Sequence, residues 1–350
     1  MAGRADSLDI SVIIPVAPGA DAGPAMRAAL QGIPRGLRAE VLTVDGTHPS
    51  RQRNLAANRA RGRVLWFLDH DAVAAPETAR RLLAAMREFG AAVAGGPNAA
   101  TPARSWVEAA AVDAIGSPLG SPLVSARYGS RAVTGPAGER DLILCNLAID
   151  REAFLAAGGF DPRLYPNEEN ALLNDLKRRG RSAVHVHDAL VVKPRPATIG
   201  RFLHESFRYG CGRMEQIWIA AAPGDAVFLA ALVAGLGALA ASFRFPWIPG
   251  VYAAICAAES LRIVRARGSG SLPGAGVCAS FIIMRHGAYG LGMCWGALSG
   301  WRKRRLRWIP MRATLRRWDS RGMRLQETVS CRIGSMDQGG AGECLRKGNA

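Results

Sequence analysis

ARGRVLWFLDHDAV, residues 60–73, joins five consecutive large apolar residues, Val64 to Leu68, to an Asp-His-Asp triplet at positions 69–71. A run without polar alternation belongs to a strand covered on both faces, as in sheets fed by crossover helices. Upstream, Ser11–Val16 (SVIIPV) and Glu40–Val44 (EVLTV) have the same character, the second stopping at Asp45-Gly46. Helical spacing fills the intervals: Pro24–Gly32, a helix capped by Ser50 and running through Arg61, and a helix from Pro76 with Leu82, Leu83, Met86 and Phe89 on one face. This order predicts an α/β fold with a mostly parallel sheet. Crossovers return each strand to the same starting edge, so Asp45 and Asp69 share the carboxyl edge where such sheets bind ligands.

Further along, Asp141–Ile149 reads as a strand, Asn167–Arg179 as a helix capped by Asn167, and Ser182–Lys193 as the last strand. Pro97–Gly138, rich in Ser, Pro and Gly, reads as a substrate-facing insertion. The chain has 350 residues and 49% hydrophobic content, which excludes wholesale disorder. Its 45 Lys+Arg against 28 Asp+Glu give a net charge of +17, favouring an anionic partner: nucleic acid, an acidic membrane surface or a phosphorylated substrate. Seven cysteines without a CxxC pair exclude a zinc-site spacing and read as reduced, structural thiols. Met1–Asp9 lacks the apolar region of a secretory signal, which places the first half in the cytoplasm.

After Arg201 the composition changes. Asp225–Phe243 is almost uninterruptedly apolar, near the ~20 residues that cross a bilayer. Trp247–Val264 is a weaker second candidate. Val277–Gly300 is a third, but Arg285 and His286 lie near its middle, and a central Arg costs about 2.5–3.5 kcal/mol on insertion scales. Arg262, Arg265 and Arg267 follow the second segment, and Trp301–Trp308 (WRKRRLRW) follows the third. Placing both clusters in the cytoplasm requires two spans plus a re-entrant or interfacial segment. The expected organisation is therefore a catalytic domain over 8–200, an amphipathic connector over 201–224, a membrane region over 225–300, and a tail over 301–350, basic and then disordered. WRKRRLRW is accounted for by attraction to an anionic membrane surface, about 1 kcal/mol per basic residue, without a specific nucleic-acid partner.

Carboxylates one residue apart, as in Asp69 and Asp71, can place oxygens on a hard divalent cation such as Mg2+ or Mn2+, which would neutralise a departing diphosphate. Glu168 and Glu169 lie in the first turn of a helix, whose dipole favours their ionised form. They equally serve to stabilise a helix N-terminus. Read alone, Asp45 is also a turn residue, Arg53 a solvated helix position, and His185 and His187 core or hydrogen-bonded histidines.

Taken in order, SVIIPV, EVLTVDG, the helix with Arg53-Asn54, ARGRVLWFLDHDAV and NLAIDREAFLAAGGFDPRLYPNEENALLNDLKRRG resemble the inverting family 2 glycosyltransferases with the GT-A nucleotide-diphospho-sugar fold. KPRPATIGRFLHESFRYGCGR, followed by membrane helices, resembles their exopolysaccharide, succinoglycan-type branch. The resemblance implies a donor site in which backbone groups of Val16 and Ala17 and the side chains of Asp45 and Arg53 meet base, ribose or phosphate. It further implies Asp69 near the ribose, Asp71 on the metal, and Glu169, with Glu168 beside it, at the catalytic base. Lys193 stands where some relatives offer the metal a histidine. The Gln-x-x-Arg-Trp motif of processive synthases is missing, while Arg208 and Arg213 are expected to clasp diphosphate, so single-sugar addition is implied. The expected activity is metal-dependent, inverting transfer of one hexosyl unit from a nucleotide-diphosphate sugar, a UDP-sugar first, to a lipid-linked or other membrane acceptor. Its setting would be exopolysaccharide or cell-envelope synthesis on the cytoplasmic face of a bacterial inner membrane. The alternative is an inactive, membrane-associated relative that binds nucleotide or assists polymer assembly or export.

Overall fold

The computed structural model describes residues 8–129, 131–268, 272–303, 311–319, 324–333 and 343–346. Two compact units emerge. The first comprises Met1–Ala99, Arg131–Pro194 and Leu306–Ala350, and the second Ala100–Ser130 and Arg195–Arg305. The insertion expected at 97–138 is thus shared between them.

In chain order the first unit begins β1 (Leu8–Val16), α1 (Gly23–Gln31), β2 (Ala39–Asp45), α2 (Pro49–Arg59), β3 (Gly62–Leu68) and β4 (Val73–Ala74). Then come α3 (Thr78–Glu88), β5 (Val93–Gly95) and β6 (Asn98–Ala100), which ends at the boundary. The second unit contributes α4 (Trp106–Gly116). The first resumes with β7 (Gly135–Ala137), β8 (Asn146–Asp150), α5 (Arg151–Ala156), α6 (Glu168–Arg178), β9 (Ala183–His185) and β10 (Val191–Lys193). The second continues as α7 (Ile199–Ala220), α8 (Ala226–Ser242), α9 (Ile248–Ala266) and α10 (Leu272–Lys303), before β11 (Met311–Asp319), β12 (Leu325–Ile333) and β13 (Glu343–Arg346) return to the first.

The main sheet has the order β13-β12-β11-β2-β1-β3-β8-β5-β9-β7, and a small sheet the order β4-β10-β6. β1 runs parallel to β2 and β3, but β8 is antiparallel to both β3 and β5, so the sheet is mixed rather than mostly parallel. Alternation along β3 sends Val64, Trp66 and Leu68 into one core and Leu65 and Phe67 into the other, which is why the run is apolar throughout. β3 can lie against β1 only because residue 62 is glycine: a Cβ there would stand 2.4 Å from the Ser11 nitrogen. Beside it, buried Glu40 accepts from Ser11 Oγ at 2.6 Å and the Arg61 nitrogen at 2.7 Å, and pairs with Arg317. A buried carboxylate is tolerated when donors meet its oxygens.

That arginine belongs to the tail expected over 301–350, basic and then disordered, in which the sequence reading placed no strand. Instead β11 adds antiparallel to β2, from Thr314 opposite Asp45 to Asp319 opposite Glu40, and β12 and β13 follow it outward. Met311, Ala313 and Leu315 turn inward at alternate positions, sealing the edge of β2. Cys331 is disulfide-bonded, against the reading of reduced thiols, and its register partner on β13 is Cys344.

Local boundaries shift as well. The residue preceding α2 is His48, and Ser50 donates instead to the Leu164 carbonyl at 3.0 Å. Asn167 precedes α6 in the left-handed region (φ 82°) without capping it, and accepts from Asn170. The strand expected over 141–149 starts only at Asn146. The one expected over 182–193 splits into β9 and β10, in different sheets.

In the second unit α7 is a core helix, not only a connector. It meets α10 through glycines: a Cβ on Gly210 would fall 2.1 Å from the Tyr289 carbonyl oxygen, and one on Gly292 equally close to that of Phe207. α10 is one continuous helix of 32 residues, about 48 Å long. Its Arg285 donates to the Gly120 carbonyl at 2.7 Å and His286 meets the Leu119 carbonyl at 2.8 Å, so both polar groups are satisfied internally. Pro223–Ser242 is the one stretch among the described residues long and apolar enough to cross a membrane. Most of WRKRRLRW lies outside the described residues.

Candidate functional site

β3 delivers Asp69 and Asp71 to its carboxyl end, where α2 and α6 of the same unit also converge. Arg53 of α2, 3% exposed, donates from Nη2 to Asp69 Oδ1 at 2.7 Å and from Nη1 to Glu168 Oε1 at 3.0 Å. One guanidinium thus spans from the acidic triplet to the acidic helix start. A second contact, to the loop that precedes α6, is built by Asn54, which donates to the Phe160 carbonyl at 2.8 Å and accepts from the Phe160 nitrogen at 2.9 Å. Gly159 (φ +77°) lets the loop come that close, since a Cβ would lie 2.7 Å from Asn54 Oδ1. Phe67, Phe154 and Phe160 pack beneath with ring centroids 5.0–5.2 Å apart. Arg53-Asn54 and the GGFD block are therefore the two halves of one joint.

The two acids at this joint differ. Glu168 is buried, and burial, reinforced by Glu169 and Asp69, outweighs Arg53 and pushes its carboxyl up to about 8. It keeps its proton at neutral pH and accepts from Arg53 through a carbonyl oxygen. Burial acts on Asp69 in the same direction, but Lys193 and Arg53 overcome it and hold the carboxyl down at about 2. The charge of Arg53 is therefore matched by Asp69. Glu169, next along the helix, is 6% exposed.

Lys193 is the group whose role sequence reasoning left open. Its Nζ lies 2.7 Å from Asp69 Oδ2 and 3.1 Å from Asp71 Oδ1. Both oxygens of Asp69 are thereby held by cations, one from Arg53 and one from Lys193. A divalent cation needs six or more oxygen ligands, or a substrate that supplies them, at roughly 2.0–2.6 Å. Among the described residues no three His, Cys, Asp or Glu are grouped to hold one. As arranged, Asp69 and Asp71 do not fit the Mg2+ or Mn2+ expected for them.

Other expected donor contacts divide. Asp45 is at the shared edge, but its Oδ2 accepts from Arg316 Nη1 at 2.9 Å, a residue of β11, a strand the sequence reading did not place. The carbonyl of Val16 already accepts from Gln52 Nε2 at 2.9 Å and the Gly46 nitrogen at 3.1 Å, so both its lone pairs are used and it is not free for a base. Ala17 is exposed just beyond it. Gln52 itself was missed: it ties the ends of β1 and β2 by donating also to the Val44 carbonyl. Arg213 does not clasp diphosphate. It is buried within the helical unit, 3.2 Å from Asp225 Oδ1 and 4.1 Å above the Phe228 ring. Arg208 is half-buried on the same helix. His185 is buried and His187 meets Thr134 Oγ1 at 3.0 Å, in keeping with structural histidines.

A mixed α/β sheet that gathers Asp45, Asp69, Asp71 and a buried acidic helix start at one edge defines the GT-A class of nucleotide-diphospho-sugar fold. Residues 21–112 match the family model Glycosyl transferase family 2. No curated protein matches the chain. Among solved structures it is similar to the mannosyltransferase PcManGT from Pyrobaculum calidifontis in complex with GDP-Man and Mn2+, at 16% identity and a TM-score of 0.46, covering 83% of this chain and 88% of that one. It is also similar to GalNAc-T7 with UDP, GalNAc and Mn2+, at 15% identity and a TM-score of 0.39, covering 55% of this chain and 44% of that one. The chain thus spans less than half the length of GalNAc-T7.

Proposed function

We propose that this chain is an inverting glycosyltransferase that moves one sugar from a nucleotide-diphosphate sugar, a UDP-sugar first among candidates, to a membrane-held acceptor such as a lipid-linked saccharide. Exopolysaccharide or cell-envelope glycan synthesis at the cytoplasmic face of a bacterial inner membrane is the setting we infer. The observation that carries the proposal is the Arg53 bridge between Asp69 and Glu168, which sets a donor-side acid and the acceptor-side helix start in one unit.

In this mechanism the acceptor oxygen attacks the anomeric carbon from the face opposite the diphosphate. Its proton passes to the Glu169 carboxylate as the carbon–oxygen bond to the diphosphate breaks, and the electron pair leaves with the nucleotide diphosphate. Glu168, protonated and held by Arg53, fixes the start of α6 without competing for that proton. The apolar stretch Pro223–Ser242 supports a membrane-held acceptor.

The test is transfer by the purified full chain from a panel of nucleotide sugars to detergent-extracted lipids and to soluble saccharides. Glu169→Gln lowers turnover by about 10²–10⁴-fold with nucleotide-diphosphate Kd unchanged. Undiminished turnover in that variant removes Glu169 as base. Transfer to soluble saccharides alone removes the membrane half of the proposal.

A further inference from the structure

The place of Lys193 is built by the small sheet. β10 pairs antiparallel with β4, with Val192 opposite Val73, and β4 begins two residues after Asp71. The ladder therefore sets the end of β10 alongside the Asp69–Asp71 turn, 124 residues away in sequence. The Lys193 side chain is 26% exposed, while Asp69 and Asp71 are 22% and 30% exposed, so all three open to solvent on the same turn. An ammonium group has three N–H donors. One is directed at Asp69 Oδ2, while Asp71 Oδ1 is held by charge at ion-pair distance without accepting a hydrogen bond, so an N–H is available to a ligand arriving from solvent.

We propose that Lys193 is the cation of this site, bridging Asp69 and Asp71 in place of a divalent ion and presenting its remaining N–H to the donor diphosphate, so that nucleotide-diphosphate binding is independent of metal. The inference rests on the glycosyltransferase function proposed above. As the bond from the anomeric carbon to the diphosphate oxygen breaks, negative charge gathers on that oxygen, and a fixed ammonium within hydrogen-bond reach stabilises it. No proton needs to leave Lys193: the acceptor's proton goes to Glu169 and the electron pair stays with the diphosphate. The acidic pair then acts as a holder for the lysine. It aims one charge-assisted donor at phosphate instead of ligating an ion.

The experiment uses the purified full chain with UDP and GDP as probes, their binding measured calorimetrically in EDTA and in Mn2+, and with Mn2+ alone followed by the paramagnetic resonance of the free ion. Wild type is expected to bind a nucleotide diphosphate with the same Kd in EDTA and in Mn2+, and to leave Mn2+ free. Lys193→Met, which keeps the aliphatic stem, is expected to lose roughly ten- to a hundredfold in nucleotide affinity in EDTA. It should also capture Mn2+ on the vacated acids. Wild-type binding that collapses in EDTA and returns with Mn2+ overturns the role of Lys193 and leaves the transferase proposal standing, and this arm needs no variant to fold. Binding of neither nucleotide in any arm overturns the transferase proposal and this inference with it. Capture of Mn2+ by the wild type without nucleotide overturns the role of Lys193 separately.

Discussion

Replacing Glu168 with glutamine removes one titrating group from the Arg53 joint while keeping its shape and its capacity to accept from Arg53. In the folded chain this carboxyl is pushed from 4.5 up to about 8 by burial, with Glu169 and Asp69 adding to the effect and Arg53 opposing it. Below pH 4.5 the group is protonated whether the chain is folded or not, and nothing is lost. Between pH 4.5 and 8 the unfolded chain releases the proton and the folded chain keeps it, so stability falls as pH rises, by up to about 1.4 kcal/mol per pH unit. Over 3.5 units the loss reaches about 5 kcal/mol, complete once pH passes 8. Denaturant unfolding at a series of pH values, followed through the near-ultraviolet signal to which the fully buried Trp66 contributes, measures this slope. Glu168→Gln is expected to flatten it between pH 5 and 8 and to be the more stable form at pH 8. An unchanged slope in the variant refutes the assignment of the proton to Glu168, and with it the pairing of Arg53 chiefly with Asp69.

The opposite limb belongs to Asp69. Its carboxyl is held at about 2 against an ordinary 3.8, so it stabilises the fold above pH 4 and loses about 2 kcal/mol as pH falls to 2; Asp69→Asn should abolish that acid limb in the same unfolding series. Gly62→Ala sets a Cβ 2.4 Å from one backbone atom of β1 and 2.5 Å from another, so β1 and β3 must separate. Overpacking of this kind costs about 1–3 kcal/mol or more, and the denaturation midpoint should fall accordingly.

What could be read from the sequence, and what could not, follows from the range of the interactions. Val64–Leu68 and the Asp-His-Asp beyond it were legible because burial on both faces leaves a local, unbroken apolar run. Glu168 and Glu169 were legible by order. β11 was not: Met311–Asp319 does alternate, but three arginines in nine residues suppress its hydropathy, and its reason to be ordered is the open edge of β2, about 270 residues earlier. The third apolar segment was read from hydropathy and from Arg285 and His286, and its packing was out of reach. Hydropathy counts the apolar residues of α10 but not the glycines that let α7 approach it, nor the carbonyls of Leu119 and Gly120 that meet His286 and Arg285. Arg213 looked like a phosphate ligand for the same reason, because its partner Asp225 stands twelve residues on, beyond the turn that ends α7.

The two proton and cation assignments at the site depend on one another. With Glu168 neutral, Arg53 and Lys193 face Asp69 and Asp71, two positive groups against two negative ones. Were Glu168 ionised at neutral pH, Arg53 would be divided between two carboxylates, and Asp69 would lean more heavily on Lys193, drawing its ammonium away from phosphate. A proton on Glu168 therefore leaves Asp69 satisfied by Arg53 on one oxygen, and Lys193 needs only to complete the other. The unequal duties of the acidic pair follow. Asp69 anchors both Arg53 and Lys193, whereas Asp71 only steers Lys193, so losing Asp69 disturbs the joint with α6 as well as the phosphate site, and losing Asp71 disturbs the phosphate site alone.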